Sequence, residues 1–132
     1  MLKYNNDADD EDMLSQIRKT CESINLAYIQ NGDLPKEEST AYILTCAVRE
    51  CVTNAVRYAG AGELYAEFSE SEDLATVVIT NDGKQPDSEI VEGGGLSTLR
   101  RRIERFGGTM LIQSFTRFEL TVTVPKDKDG LL

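Results

Sequence analysis

The 132-residue chain contains no histidine. Without imidazole there is no Ser/His/Asp or Cys/His nucleophilic triad, no His-ligated zinc, and no phosphohistidine carried on this chain itself. Cysteine is sparse: Cys21, Cys46 and Cys51 are odd in number and lack CxxC spacing, which argues against a disulfide framework or a zinc site and favours a reduced, cytoplasmic setting. No apolar run approaches the ~20 residues needed to span a bilayer, and the N-terminus lacks the basic-then-apolar order of a signal peptide. Positive charge is also short, with 14 basic against 23 acidic residues for a net charge of −9, so nucleic-acid binding through bulk charge is not expected.

What remains is one domain's worth of chain, large enough to bury a core without staples. Residues 1–12 carry five acids against Lys3 and read as an acidic tail or linker. A domain is expected over 13–126 and a C-terminal tail over 127–132. A first helix is expected near residues 10–24, followed by a strand that closes at the turn cluster Asn31-Gly32-Asp33. Pro35 and the acids after it open a long helix to about Ala59, with a core stripe of Ala41, Leu44, Val48, Cys51, Val52, Ala55 and Ala59. Cys46 falls off that stripe.

After Gly60-Ala61-Gly62, the alternation in ELYAEFSES predicts a half-buried strand, and LATVVITNDGK its hairpin partner. Residues 84–95 lack periodicity and read as a loop. A helix from Leu96 to about Phe106 and two strands, 109–115 and 117–125, complete the order. Strands joined mostly by tight turns give a largely antiparallel, mixed sheet. The fold class expected is α+β: a two-layer α/β sandwich with helices on one face.

Three features carry possible chemistry. Glu50 and Asn54 lie four apart, so they share one face of the long helix, and Arg57 and Tyr58 extend that row. A carboxylate, an amide and a guanidinium in one row suit a hard cation and a phosphate, although the same row also fits a solvated helix face. Asn81-Asp82-Gly83 ends a buried strand, either as a plain turn or as a polar side chain held over a pocket where Gly83 admits a ligand. Glu92-Gly93-Gly94-Gly95-Leu96 feeds a helix N-terminus, which offers backbone N–H groups to an anion or serves as a flexible connector. The run from Arg100 to Arg105 holds four arginines and one glutamate, a solvated face or a docking surface for an acidic partner.

In this order, over residues 24–125, the features resemble the nucleotide-binding catalytic domain of sensor histidine kinases in the GHKL ATPase superfamily. AVRECVTNAVRYA resembles the N box, VVITNDGK the first glycine box, and GGGLSTLRRRIERFGGTM the second glycine box with its helix. The resemblance implies that Glu50 polarises the attacking group and that Asn54 ligates Mg²⁺. It further implies that Arg57, Tyr58, Asn81 and Gly83 contact the nucleotide, and that Gly93, Gly94, Gly95 and Leu96 bind its phosphates beneath a short lid at 84–92. ATP and Mg²⁺ would be the cofactors. The partners would be a response regulator and a dimerisation domain that supplies the phosphoacceptor histidine, joined through residues 10–24 and outside this chain.

The chain departs from the family pattern at Asn81, where an aspartate is usual, at Gln85, where a glycine is usual, and at Phe118, where a small hydroxyl residue is usual. These departures motivate a second reading, a non-catalytic nucleotide-binding or interaction module, and a third is a stand-alone serine kinase of the anti-sigma-factor type, which the resemblance implies would share the fold and about this length.

Overall fold

A computed structural model describes residues 6–86, 92–114 and 117–131. The elements run α1 (Asn6–Ser23), β1 (Ala27–Asn31), α2 (Glu38–Asn54), a π turn (Ala55–Ala59), β2 (Glu63–Glu70), β3 (Leu74–Asn81), α3 (Gly94–Arg105), β4 (Thr109–Gln113) and β5 (Glu119–Pro125). The five strands form one sheet in the order β1-β2-β3-β5-β4. Every pairing is antiparallel except β1 with β2, which run parallel because α2 crosses between them. This is the α+β two-layer arrangement expected.

Period-two alternation puts Leu64, Ala66 and Phe68 of β2, Ala75, Val77 and Ile79 of β3, and Leu120, Val122 and Val124 of β5 on the helix-facing side, all buried. Ile43, Leu44, Ala47, Val48, Cys51 and Val52 of α2 and Leu99 and Ile103 of α3 complete the same core. Burial of each Leu, Ile or Phe in it contributes about 1.5–3 kcal/mol. On the opposite face of the sheet Ile29, Tyr65 and Leu111 are exposed.

Several boundaries differ from expectation. Helix α1 begins at Asn6, so residues 6–12 of the expected acidic tail are helical. Its far end is closed by Asn25 in the left-handed region (φ 60°), with the Leu26 N–H returning to the Cys21 carbonyl at 2.8 Å. Helix α2 starts at Glu38, three residues beyond Pro35, because Glu37 is extended and its carbonyl takes the first helical hydrogen bond from the Ala41 N–H at 2.9 Å. The expected tail beyond residue 126 is anchored at its first residue. Asp127 is buried, and its N–H donates to the Thr40 hydroxyl, which in turn donates to the Pro125 carbonyl.

Cys46 lies off the core stripe and is buried all the same, packing as a small apolar side chain like Cys21 and Cys51. Helix α2 is covered on three sides, by the sheet and by α1 and α3, so a single stripe underestimates what it buries. Arg102 of α3 lies over this flank, with Nη1 donating to Cys46 Sγ at 3.1 Å and to the Tyr42 hydroxyl at 3.2 Å. Arg100 is likewise held against the protein, so the arginine run is only partly a solvated face. No helix among the described residues is long and apolar enough to cross a membrane.

Candidate functional site

Three backbone segments, distant in sequence, converge at one end of the sheet. The first is the end of α2. Glu50 and Asn54 sit one turn apart and half-buried, and the helix then widens into the π turn, where the Ala55 carbonyl receives the N–H groups of Gly60 and Ala61. Gly60, at φ 59°, stops it. A π turn inside a helix is often found at functional sites, because it re-aims the side chains it carries. Arg57 lies on it.

The second segment is the turn after β3. Asp82 Oδ1 accepts the N–H groups of Gly62 and Glu63, each at 2.8 Å, and these bonds hold its carboxyl below the usual aspartate range. The Gly83 N–H donates to Asn81 Oδ1 at 2.8 Å, and the Lys84 N–H donates to the Ala59 carbonyl at 2.8 Å. Gly83 is pressed against Ala59 so closely that a Cβ would fall 2.6 Å from both the Ala59 Cβ and its carbonyl oxygen. The missing side chain of Gly83 thus makes room for the end of α2, a packing requirement beside the expected approach to a ligand.

The third segment is the start of α3. Gly93 is extended, Gly94 takes φ 50°, and the helix proceeds from there. Arg100 grips Glu92 with Nε and Nη2 at 2.6–2.9 Å and donates through Nη1 to the Met110 carbonyl at 2.9 Å. The Glu92 carboxyl is accordingly held below the usual glutamate range by the Arg100 hydrogen bonds. This fork fixes the glycine segment to α3 and β4. The Glu50 carboxylate lies against Gly95, in the space a Cβ there would need.

These segments enclose a cavity of about 570 Å³. Of the residues singled out from sequence, Glu50, Asn54, Arg57, Asn81, Gly93, Gly94, Gly95 and Leu96 line it. The Tyr58 side chain and lid residues 87–91 lie outside the described residues. Ala59, expected in the core stripe, also lines the cavity, together with Lys84, Gln85, Pro86 and Phe118. The register pairing Thr80 with Glu119 sets Phe118 across from Asn81, a neighbourhood that needs the strand pairing and is absent from linear spacing.

Among the described residues no cluster of three or more His, Cys, Asp or Glu side chains could cage a metal unaided. The donor chemistry of Asn54, with Glu50 one turn away, fits Mg²⁺ instead, since that ion usually takes one or two protein oxygens and completes its shell with water and phosphate.

No protein-family model matches the chain. Its structure is similar to the blue-light activated histidine kinase EL346 of Erythrobacter litoralis at TM-score 0.70 and 19% identity, over 90% of this chain and 42% of that one. It is similar to the Acinetobacter baumannii histidine kinase AdeS at TM-score 0.65 and 16% identity, over 89% of this chain and 63% of that one. The ATP-binding domain of PrrB from Mycobacterium tuberculosis matches at TM-score 0.64 and 18% identity, over 89% of this chain and 93% of that domain. The chain thus spans less than two thirds of the two kinases and nearly the whole of the isolated domain. At such identities the likeness is one of fold, and the chain shares the α+β fold of these histidine kinase domains.

Proposed function

We propose that this chain is the ATP-binding catalytic domain of a two-component sensor histidine kinase acting in the cytoplasm. The observation that carries the proposal is the convergence of Glu50, Asn54, Asn81 and the Gly93–Gly95 junction on one cavity of this fold. Its two ends differ in chemistry. Glycine N–H groups and the positive end of the α3 dipole suit phosphates, whereas Ala59 and Phe118, beside the Asn81 amide, suit a flat heteroaromatic base.

In this reading Asn54 holds Mg²⁺ together with the nucleotide phosphates, and the ion, when bound, neutralises phosphate charge. The start of α3 orients the γ-phosphoryl group. The Glu50 carboxylate accepts the N–H of an incoming imidazole, which aligns the ring's other nitrogen for attack. The bond from γ-phosphorus to the bridging oxygen breaks as the P–N bond forms, and ADP leaves. The acceptor histidine comes from a dimerisation domain, since this chain has none, and a response regulator then takes the phosphoryl group.

The test is transfer of labelled γ-phosphate from ATP·Mg²⁺ to a separately supplied histidine-bearing dimerisation domain. Acid-labile label on that domain supports the reading. Acid-stable label on a serine-bearing partner would instead support a serine kinase.

A further inference from the structure

Asn81 determines which edge of a base the apolar end of the cavity can read. Its Oδ1 accepts the Gly83 N–H at 2.8 Å. A backbone N–H can only donate, so the amide oxygen is turned to the Gly83 N–H with one lone pair engaged, and Nδ2 is the amide atom on the side away from that contact. That atom donates and does not accept. A carboxylate at this position would keep one oxygen for Gly83 and offer the second as an acceptor, whereas the amide offers a donor in its place.

The turn that sets this orientation is held from two sides. Asp82 is tied to Gly62 and Glu63, and the Lys84 N–H is tied to the Ala59 carbonyl. Rotating the Asn81 amide by half a turn would set Nδ2 against the Gly83 N–H, donor to donor, and leave a half-buried N–H unpaired. The 6-amino group of adenine is a donor and meets Nδ2 unfavourably, while the 6-oxo group of guanine or hypoxanthine is an acceptor and pairs with it.

We infer that Asn81 makes this site accept 6-oxopurine nucleotides, guanosine and inosine triphosphates, at least as well as adenosine triphosphate. The inference rests on the nucleotide-binding reading of the cavity given above.

The experiment is calorimetric titration of the chain with nonhydrolysable analogues of ATP, GTP and ITP in the presence of Mg²⁺, repeated with Asn81→Asp. The GTP and ITP analogues are expected to bind within about threefold of the ATP analogue or more tightly. Asn81→Asp, which restores an acceptor, is expected to shift the ratio toward ATP by about tenfold or more. A wild-type preference for ATP above about tenfold, or an unchanged ratio in a folded Asn81→Asp variant, overturns the inference and leaves nucleotide binding intact. The wild-type ratio needs no variant and decides the matter if Asn81→Asp fails to fold. Absence of binding by all three analogues at millimolar concentration overturns the underlying reading itself.

Discussion

The Glu50 carboxylate occupies the space that a side chain at Gly95 would need. The last turns of α2 and the first turn of α3 are thus matched: the glycine is small so that the carboxylate can approach the helix start. Gly95→Ala should push Glu50 aside, an inexpensive movement for the end of a flexible side chain, and alanine is the better helix former by about 1 kcal/mol. Thermal unfolding should show stability unchanged or slightly raised, while nucleotide affinity or phosphotransfer falls by about tenfold. Equal loss of stability and activity would mean that Gly95 serves only packing.

In the proposed function Glu50 acts on the acceptor rather than on the nucleotide. Glu50→Gln keeps the shape and removes the charge, so transfer to a supplied dimerisation domain should fall about 10²-fold or more with nucleotide affinity altered less than about threefold. Parallel measurement of transfer and binding separates the two. A matching drop in both would place Glu50 in nucleotide binding.

Asp82 accepts two backbone N–H groups, and its carboxyl is held below the usual range by those of Glu63 and Gly62. A carboxyl with a lowered pKa in the folded state contributes stability that is fully present above its unfolded value, near 3.9, and is lost as pH falls through the folded value. Asp82→Asn should therefore melt at a lower temperature than wild type at pH 7, and the gap should close as pH drops below about 4. Melting curves between pH 7 and pH 2.5 check this, and a gap independent of pH would contradict it.

Arg100 joins Glu92 to the Met110 carbonyl through a planar fork, with about a third of its side chain exposed. Lysine carries the same charge without the fork. Arg100→Lys and Arg100→Ala should thus behave alike, each costing about 1 kcal/mol of stability. Full rescue by lysine in thermal unfolding would show that only the charge matters.

Much of this arrangement is legible in the linear sequence, because it follows from short-range spacing. Four-residue separation is enough to put Glu50 and Asn54 on one helix face, and a glycine run before an amphipathic stretch is enough to mark a helix start. Period-two alternation likewise assigns the inner faces of β2, β3 and β5. What spacing does not encode is coverage from several sides. Cys46 is buried because α3 closes over it through Arg102, and the parallel neighbour of β2 is known only once α2 has crossed. The role of Gly83 is of the same kind: its lack of a side chain makes room for Ala59, a residue 24 positions earlier in the chain. The π turn has no sequence signal of its own and places Ala59 at the cavity, where the helical stripe assigns it to the core.

The proposed function gives α2 a metal-assisted nucleotide site, and Asn54 is the residue on which the metal would depend. Calorimetric titration with a nonhydrolysable ATP analogue, with and without Mg²⁺, should show binding strengthened about tenfold or more by the ion. In Asn54→Ala that dependence on Mg²⁺ should disappear while the protein stays folded. Binding that is indifferent to Mg²⁺ in wild type, or equally Mg²⁺-dependent in Asn54→Ala, would contradict a metal site at Asn54.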